Sequence, residues 1–275
     1  MLVIKGLKKT FNPNTVDEKV AINGIDLEAH KGDFVTIIGS NGAGKSTLLN
    51  LIAGTYLPDG GDIFIESRNV TRLPEHRRAM YLGRIFQNPL MGTASSMTIE
   101  ENLAMADLRG KPRGLRWGVT KSRREFYKET LKGLDLGLET RLKDSVSLLS
   151  GGQRQSLTLL MATLSLPKLL LLDEHTAALD PKTAQRVIEL TEKIVRENHL
   201  TTIMVTHNMQ QAIRYGNRMI MLHEGKVKFD IQGDEKRALT VEEVVKRFGA
   251  DLKALPTAPQ GSRHSRGAPA YRSRS

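Results

Sequence analysis

The stretch Phe34-Val35-Thr36-Ile37-Ile38-Gly39-Ser40-Asn41-Gly42-Ala43-Gly44-Lys45-Ser46-Thr47 decides the fold. Five apolar or β-branched residues read as a buried strand. They run straight into the pattern G-x-x-x-x-G-K-[ST], after which Leu48, Leu49 and Ile52 recur at helical spacing. Strand, glycine-rich turn and helix in that order predict a phosphate-binding loop. The glycines let the backbone turn successive N–H groups toward phosphate oxygens, and the start of the helix adds partial positive charge. Lys45 can reach the outer phosphates, and the Ser46 hydroxyl suits Mg²⁺. Gly39, Ser40, Asn41, Gly42, Ala43, Gly44, Lys45, Ser46 and Thr47 are therefore candidate nucleotide-binding residues. A chance glycine-rich turn is the alternative, and the flanking strand and helix argue against it.

Short apolar and β-branched runs recur at residues 2–4, 22–27, 34–38, 62–65, 83–86, 169–172, 202–205, 218–222 and 227–229. Several are continuously apolar, as strands of a buried parallel sheet are. Helical patterns lie between them at 45–53, at 153–164 with Leu157, Leu160, Met161 and Leu164 on one face, and at 183–198 after Pro181. Alternation of this kind predicts an α/β core. Residues 98–149 have helical composition and no clear strand, which predicts a helical subdomain inserted into that core. No internal repeat is visible.

A second strand narrows the chemistry. Leu169-Leu170-Leu171-Leu172-Asp173-Glu174 is an apolar run closed by two carboxylates. Beside a phosphate loop, Asp173 can hold Mg²⁺ and Glu174 can polarise the water that attacks a γ-phosphate, which points to hydrolysis.

Composition sets limits of its own. The 275 residues include no cysteine, which excludes disulfides, thiolate metal sites and a cysteine nucleophile. No apolar run approaches the roughly 18 to 20 residues that span a bilayer, and residues 1–5 lack the shape of a signal peptide, so a cytoplasmic location is expected. The 41 Lys and Arg against 30 Asp and Glu leave a formal charge of +11, which raises the question of nucleic acid or membrane partners. Its placement answers part of that question. Residues 107–128 carry a net +6 and residues 257–275 a net +4, so the remaining 234 residues are nearly neutral. The terminal stretch, rich in Ser, Gly, Ala, Pro and Arg, reads as a basic disordered tail. The internal one reads either as a solvated helical face or as a surface where Arg113, Arg116 and Trp117 meet anionic lipid.

Leu149-Ser150-Gly151-Gly152-Gln153-Arg154-Gln155 resembles the signature motif of ABC-type ATPases, and the resemblance covers about residues 1–250. It implies an α/β fold: a P-loop NTPase core with a parallel sheet, an antiparallel β subdomain, and an α-helical subdomain at about 89–149, followed by the tail at 251–275. It implies ATP and Mg²⁺ as ligands. Ser46, Gln87 and Asp173 would serve the metal, with Glu174, His207 and Lys45 catalytic. Phe11, 28 residues before the loop, matches an aromatic that stacks on adenine, and Asp180 in Ala178-Leu179-Asp180 matches a loop at a dimer interface. Ser150, Gly151, Gly152 and Gln153 would complete the nucleotide site of a second subunit, in a head-to-tail homodimer or a pair with a related ATPase.

The same resemblance implies membrane permease subunits as partners, with residues 89–98 as candidate contacts, at the cytoplasmic face of the membrane. It also favours import, of an amino-acid type of solute, with a solute-binding protein as a further partner and no nucleic acid. An exporter or lipoprotein-release ATPase and a soluble nucleic-acid ATPase are the alternatives. The chain departs from the family pattern at His175, where many members have proline, and at Ser156, where many have arginine. His175 raises the question of whether the loop after Glu174 responds to pH.

Overall fold

The computed structural model describes the backbone of residues 1–111 and 118–252, and their side chains as far as Lys246. The chain opens with a hairpin of β1 (Leu2–Phe11) and β2 (Lys19–Ala29), followed by β3 (Phe34–Ile38), α1 (Lys45–Ala53), β4 (Gly60–Ile65), β5 (Arg68–Asn69) and α2 (Glu75–Arg78). After β6 (Leu82–Ile85) come α3 (Ile99–Asp107), α4 (Lys121–Lys132) and α5 (Gly151–Thr163). The remainder is β7 (Leu169–Asp173), α6 (Pro181–Glu197), β8 (Thr202–Val205), α7 (Met209–Arg214), β9 (Arg218–His223), β10 (Lys226–Gln232), α8 (Gly233–Ala238) and α9 (Val241–Leu252).

The strands form two sheets. One is antiparallel, in the order β2-β1-β4-β5; the other runs β10-β9-β3-β8-β7-β6 and is parallel except for β10 at its edge. Alternate residues of the parallel strands feed different cores. Val35, Ile37, Leu169, Leu171, Ile203 and Val205 face the antiparallel sheet, with α1 packed between the two sheets through Leu48, Leu49 and Ile52. Leu170, Leu172 and Met204 face the other way, against Leu159 of α5 and Ile188 of α6. Burial on both faces is why these strands are apolar throughout.

Arg78 fixes the far end of α1. Fully buried, it donates to the carbonyls of Leu51 at 2.6 Å and Ile52 at 3.0 Å in the last turn of that helix, and to Thr71 and Leu73 at 2.8 Å. Four backbone oxygens take the place of a carboxylate partner, and burial brings its pKa down to about 10.

Within 98–149 the described residues form α3, α4 and short 3₁₀ turns, with one isolated bridge between Thr98 and Ser145. These elements share a core of their own, built on Ile99, Leu103, Tyr127, Leu131 and Leu138, and closed by Leu157 and Met161 of α5. Thr98 starts α3 with a reciprocal capping pair to Glu101.

Some boundaries differ from the sequence reading. β1 and β2 are far longer than the apolar runs at 2–4 and 22–27, because their outer faces are polar and several bulges interrupt the alternation. β6 is Leu82–Ile85 rather than 83–86, so Gln87 stands two residues beyond the strand instead of closing it. α9 extends to Leu252, past the start of the expected tail at 251. Arg113, Arg116, Trp117 and the stretch 257–275 lie outside the described residues.

Candidate functional site

β3 delivers the phosphate loop at the C-terminal edge of the parallel sheet, where ligands of α/β folds bind. The loop is pressed so closely against its neighbours that only glycine fits. A methyl group at Gly39 (φ +155°) would lie 2.3 Å from the Leu222 carbonyl oxygen, and one at Gly44 (φ +102°) 2.5 Å from that of Ala21. Gly44 begins α1 without any side-chain cap, which leaves the N–H groups of the first turn to a ligand. Lys45 is nearly buried and curls back on the loop, its Nζ 2.9 Å from the Gly39 carbonyl and 3.1 Å from that of Ser40. Burial lowers its pKa, while Glu174 and Asp173 hold it up.

The second acidic strand meets this loop. Ser46 Oγ, in the first turn of α1, donates to Asp173 Oδ1, at the end of β7, at 3.3 Å. Burial raises the Asp173 pKa, and the Arg84 guanidinium and the Ser46 hydroxyl oppose it. Glu174 follows in a left-handed conformation, φ 43°, pinned by its own N–H to the Val205 carbonyl at 3.0 Å. That turn sends its carboxylate toward two other elements. Oε2 lies 3.4 Å from Gln87 Nε2 and 3.3 Å from His207 Nδ1.

The hydrogen bond with His207 is the main reason the Glu174 pKa is lowered and the His207 pKa raised. His207 itself is set between β8 and α7 by its neighbours. Thr206 donates to Gln211 Oε1 at 3.1 Å, and Asn208 caps α7 on the Gln211 N–H at 3.0 Å. Four separated segments therefore place Lys45, Ser46, Asp173, Glu174, Gln87 and His207 in one constellation.

These residues fit a Mg²⁺-bound polyphosphate. Mg²⁺ takes oxygen ligands and usually shares one or two carboxylates with substrate phosphates. Asp173 and Ser46 supply a carboxylate and a hydroxyl side by side. Among the described residues no cluster of three His, Cys, Asp or Glu could hold a metal.

The signature residues form a second helix start. Ser150 caps α5: its Oγ accepts from the Gln153 N–H at 3.3 Å, while Gln153 Oε1 accepts from the Ser150 N–H at 3.2 Å. A methyl group at Gly152 would meet Thr183 Cγ2 at 2.2 Å, so the start of α5 packs hard on the first turn of α6. Asp180 caps α6 on the Thr183 N–H at 3.1 Å, and its pKa is lowered by those bonds. Signature and Asp180 loop are thus interlocked with each other.

Phe11 is half-buried at the end of β1, edge-on to Tyr56 with ring centres 5.3 Å apart. Tyr56 and Arg84 escaped the sequence reading. Arg84 stacks on Phe86 at 4.5 Å, donates to Asn50 and Thr55, and stands as the positive neighbour of Asp173. Its one sequence signal is a charge within the otherwise apolar run Leu82-Gly83-Arg84-Ile85.

The model of the family described as ABC transporter matches residues 22–177. The chain belongs to the ABC transporter family. This ABC chain is an ATPase that works with ATP and Mg²⁺ in transport, and ATPase subunits of the family dimerise and partner with membrane permease components. It is 49% identical over 253 residues to the tyrosine transport ATP-binding protein of Clostridioides difficile, covering 90% of this chain and 98% of that one. It is 36% identical to the methionine import ATP-binding protein of Mesorhizobium japonicum over 75% of this chain and 55% of that relative. Its fold matches the dimeric post-hydrolysis structure of the cassette MJ0796, bound to ADP and phosphate, with a TM-score of 0.72 and 30% identity over 84% of this chain and 98% of that one.

His175 turns away from the ABC site. It is buried, its Nε2 3.1 Å from Thr191 Oγ1, and since that hydroxyl already donates to the Val187 carbonyl at 2.8 Å, the histidine must be the donor. Burial brings its pKa down from 6.5 to about 4, so it is neutral around pH 7 and gives the loop no pH response there. Its effect is on stability. The unfolded chain takes up the proton first, so folding weakens as pH falls from 6.5 toward 4, by about 3 kcal/mol for this group. Denaturation curves should show wild type losing that much more than His175→Leu across the window; an equal loss would contradict the burial.

A second expectation concerns the acid limb of ATPase activity. His207 holds the Glu174 pKa down, so in His207→Ala the residual activity should begin to fall at a higher pH than in wild type. A pH–rate profile whose acid limb does not move would show that the two side chains are uncoupled.

Proposed function

We propose that this chain is the ATP-hydrolysing subunit of an importer for amino acids, of the aromatic kind that includes tyrosine, acting as a head-to-tail homodimer beneath separate permease subunits. The observation that carries the chemical reading is the Glu174 carboxylate, set between Gln87 and His207 beside Lys45, Ser46 and Asp173. The cargo reading rests on the 49% identity to a tyrosine transport ATP-binding protein across nearly the whole of both chains. A solute-binding protein that delivers the amino acid from outside fits the same reading, with this subunit on the cytoplasmic face. Among the described residues no helix is long and apolar enough to cross a membrane.

In the proposed mechanism the loop from Gly39 to Thr47 wraps the phosphates with its N–H groups, and Lys45 exchanges its two carbonyl contacts for γ-phosphate oxygens. Mg²⁺, when bound, would neutralise charge on the β- and γ-phosphates, with Ser46, Asp173 and Gln87 as its protein partners. Phe11 carries the adenine. Glu174 accepts the proton of the attacking water, and its low pKa keeps it ionised for that task. His207 holds Glu174 in place and faces the γ-phosphate. Ser150, Gly151, Gly152 and Gln153 of the partner subunit present a second helix start to the same phosphates, with Asp180 at the seam.

The division into an ATPase body at 1–250, a helical subdomain at about 89–149 and a basic tail at 251–275 belongs to the same reading. It gives the helical part the contact with the permease. Leu90 and Met91, 59% and 65% exposed in the turn just after Gln87, are apolar side chains suited to that contact.

Two experiments test these assignments. Glu174→Gln should cut steady-state hydrolysis at least a hundredfold while ATP-dependent dimers persist in sedimentation; undiminished hydrolysis would refute the role of Glu174. Leu90→Asp with Met91→Asp should abolish co-purification with the permease subunits and leave hydrolysis by the isolated subunit intact, whereas retained co-purification would place the contact elsewhere.

A further inference from the structure

The start of β2 runs along the phosphate loop. The Ala21 carbonyl limits what fits at Gly44, and the neighbouring hairpin turn donates its Gly225 N–H to the Ala43 carbonyl at 3.1 Å. Two residues before Ala21 is Lys19, an exposed residue no motif singles out. Its ammonium stands over the loop, 3.6 Å from the position a methyl group would take on Gly42. Among the described residues it has no carboxylate, carbonyl or ring for a partner. The other cations around the site are committed: Lys45 to two carbonyls, Lys9 to Asp59, and Arg84 to Asn50 and Thr55.

The strand register adds a second observation. Lys19 is the direct antiparallel partner of Phe11. Residues opposite one another in such a pair point to the same face, so the lysine and the candidate base-stacking ring share a side of the hairpin. One end of that shared face lies at the aromatic pair Phe11–Tyr56 and the other at Gly42. A nucleotide laid from ring to loop would pass its phosphates beneath the Lys19 ammonium.

We propose that Lys19 is a nucleotide-binding residue, a second phosphate-directed cation that reaches the site from the β1–β2 hairpin rather than from the phosphate loop. An unpaired ammonium above backbone N–H groups has no protein charge to give up when it takes a phosphate oxygen, so the contact adds to affinity without breaking another bond. It would serve a nucleoside diphosphate as well as a triphosphate, because the cation lies over the loop and not at the hydrolytic end of the site. It would also couple the hairpin to the nucleotide, since Phe11 and Lys19 grip the same ligand from paired positions.

The inference rests on the phosphate-loop reading, and the test separates the two. Calorimetric titration of the full chain with ATP and with ADP, in EDTA to prevent turnover, should give dissociation constants about fivefold weaker for Lys19→Ala and Lys19→Gln. Lys19→Arg should stay within about twofold of wild type, and the wild-type advantage should shrink as salt rises from about 0.05 to 0.5 M. Wild-type affinity in Lys19→Ala, alongside a large loss in Lys45→Ala, would overturn this inference alone. Wild-type affinity in both variants would overturn the phosphate-loop reading with it. An equal loss in Lys19→Arg, or a loss indifferent to salt, would make the lysine a structural residue and likewise refute the proposal.

Discussion

β3, β7 and β8 bury both faces, and the rest of the molecule is arranged around that constraint. Each sends alternate side chains into two different cores, so none can tilt or shift without opening a void on one side. Apolar strands of this kind carry little register information within themselves, because a slip of one residue replaces one apolar side chain by another. Their polar ends supply it. Displacing β7 by one residue would draw Asp173 toward the core, where an unpaired carboxylate costs several kcal/mol. Glu174 adds a second stop through its bond to the Val205 carbonyl on the next strand. The packed sheet and the chemical site are thus specified by the same few positions.

The electrostatics of the site follow from how it is buried. Lys45 and Asp173 are pushed by desolvation toward their neutral forms, and each is held charged by the other, by Glu174 or by Arg84. Glu174 goes the opposite way, since its pairing with His207 outweighs its burial. The result is a carboxylate that stays ionised next to a glycine-rich loop and an uncapped helix start that favour anions. In this ABC chain the other helix start, at Ser150, spends its side-chain hydroxyl on its own cap and keeps its glycines against Thr183 and Leu179. That packing holds the start of α5 rigidly against the first turn of α6.

The parts legible from sequence were those in which spacing itself carries chemistry. The phosphate loop, the Asp173-Glu174 pair and the signature each fit within eight residues, and their strand-and-helix context could be read directly beside them. Helix α1 and the continuous strands β3 and β8 matched their apolar runs for the same reason. The hairpin of β1 and β2 was underread because one face is wet and bulges break its period. Arg84, Tyr56 and Lys19 belong to the site only through tertiary placement, and even Ser46 and the Asp173 that Arg84 neighbours are 127 positions apart in the chain. His175 shows the converse: beside Glu174 in sequence it invites a chemical role, yet the turn at Glu174 sends it into the core against Thr191.

In the proposed head-to-tail pair each hydrolytic site takes its phosphate loop from one chain and its signature from the other. Lys45→Ala and Ser150→Arg should each abolish hydrolysis on their own. Mixed in equal amounts and allowed to exchange subunits, they form pairs in which one site carries both lesions and the other carries none. The mixture should regain hydrolysis, to roughly a quarter of the wild-type rate for random pairing of two-fold dimers. A mixture as inactive as its components would contradict it, because a site contained within a single chain cannot be restored by mixing.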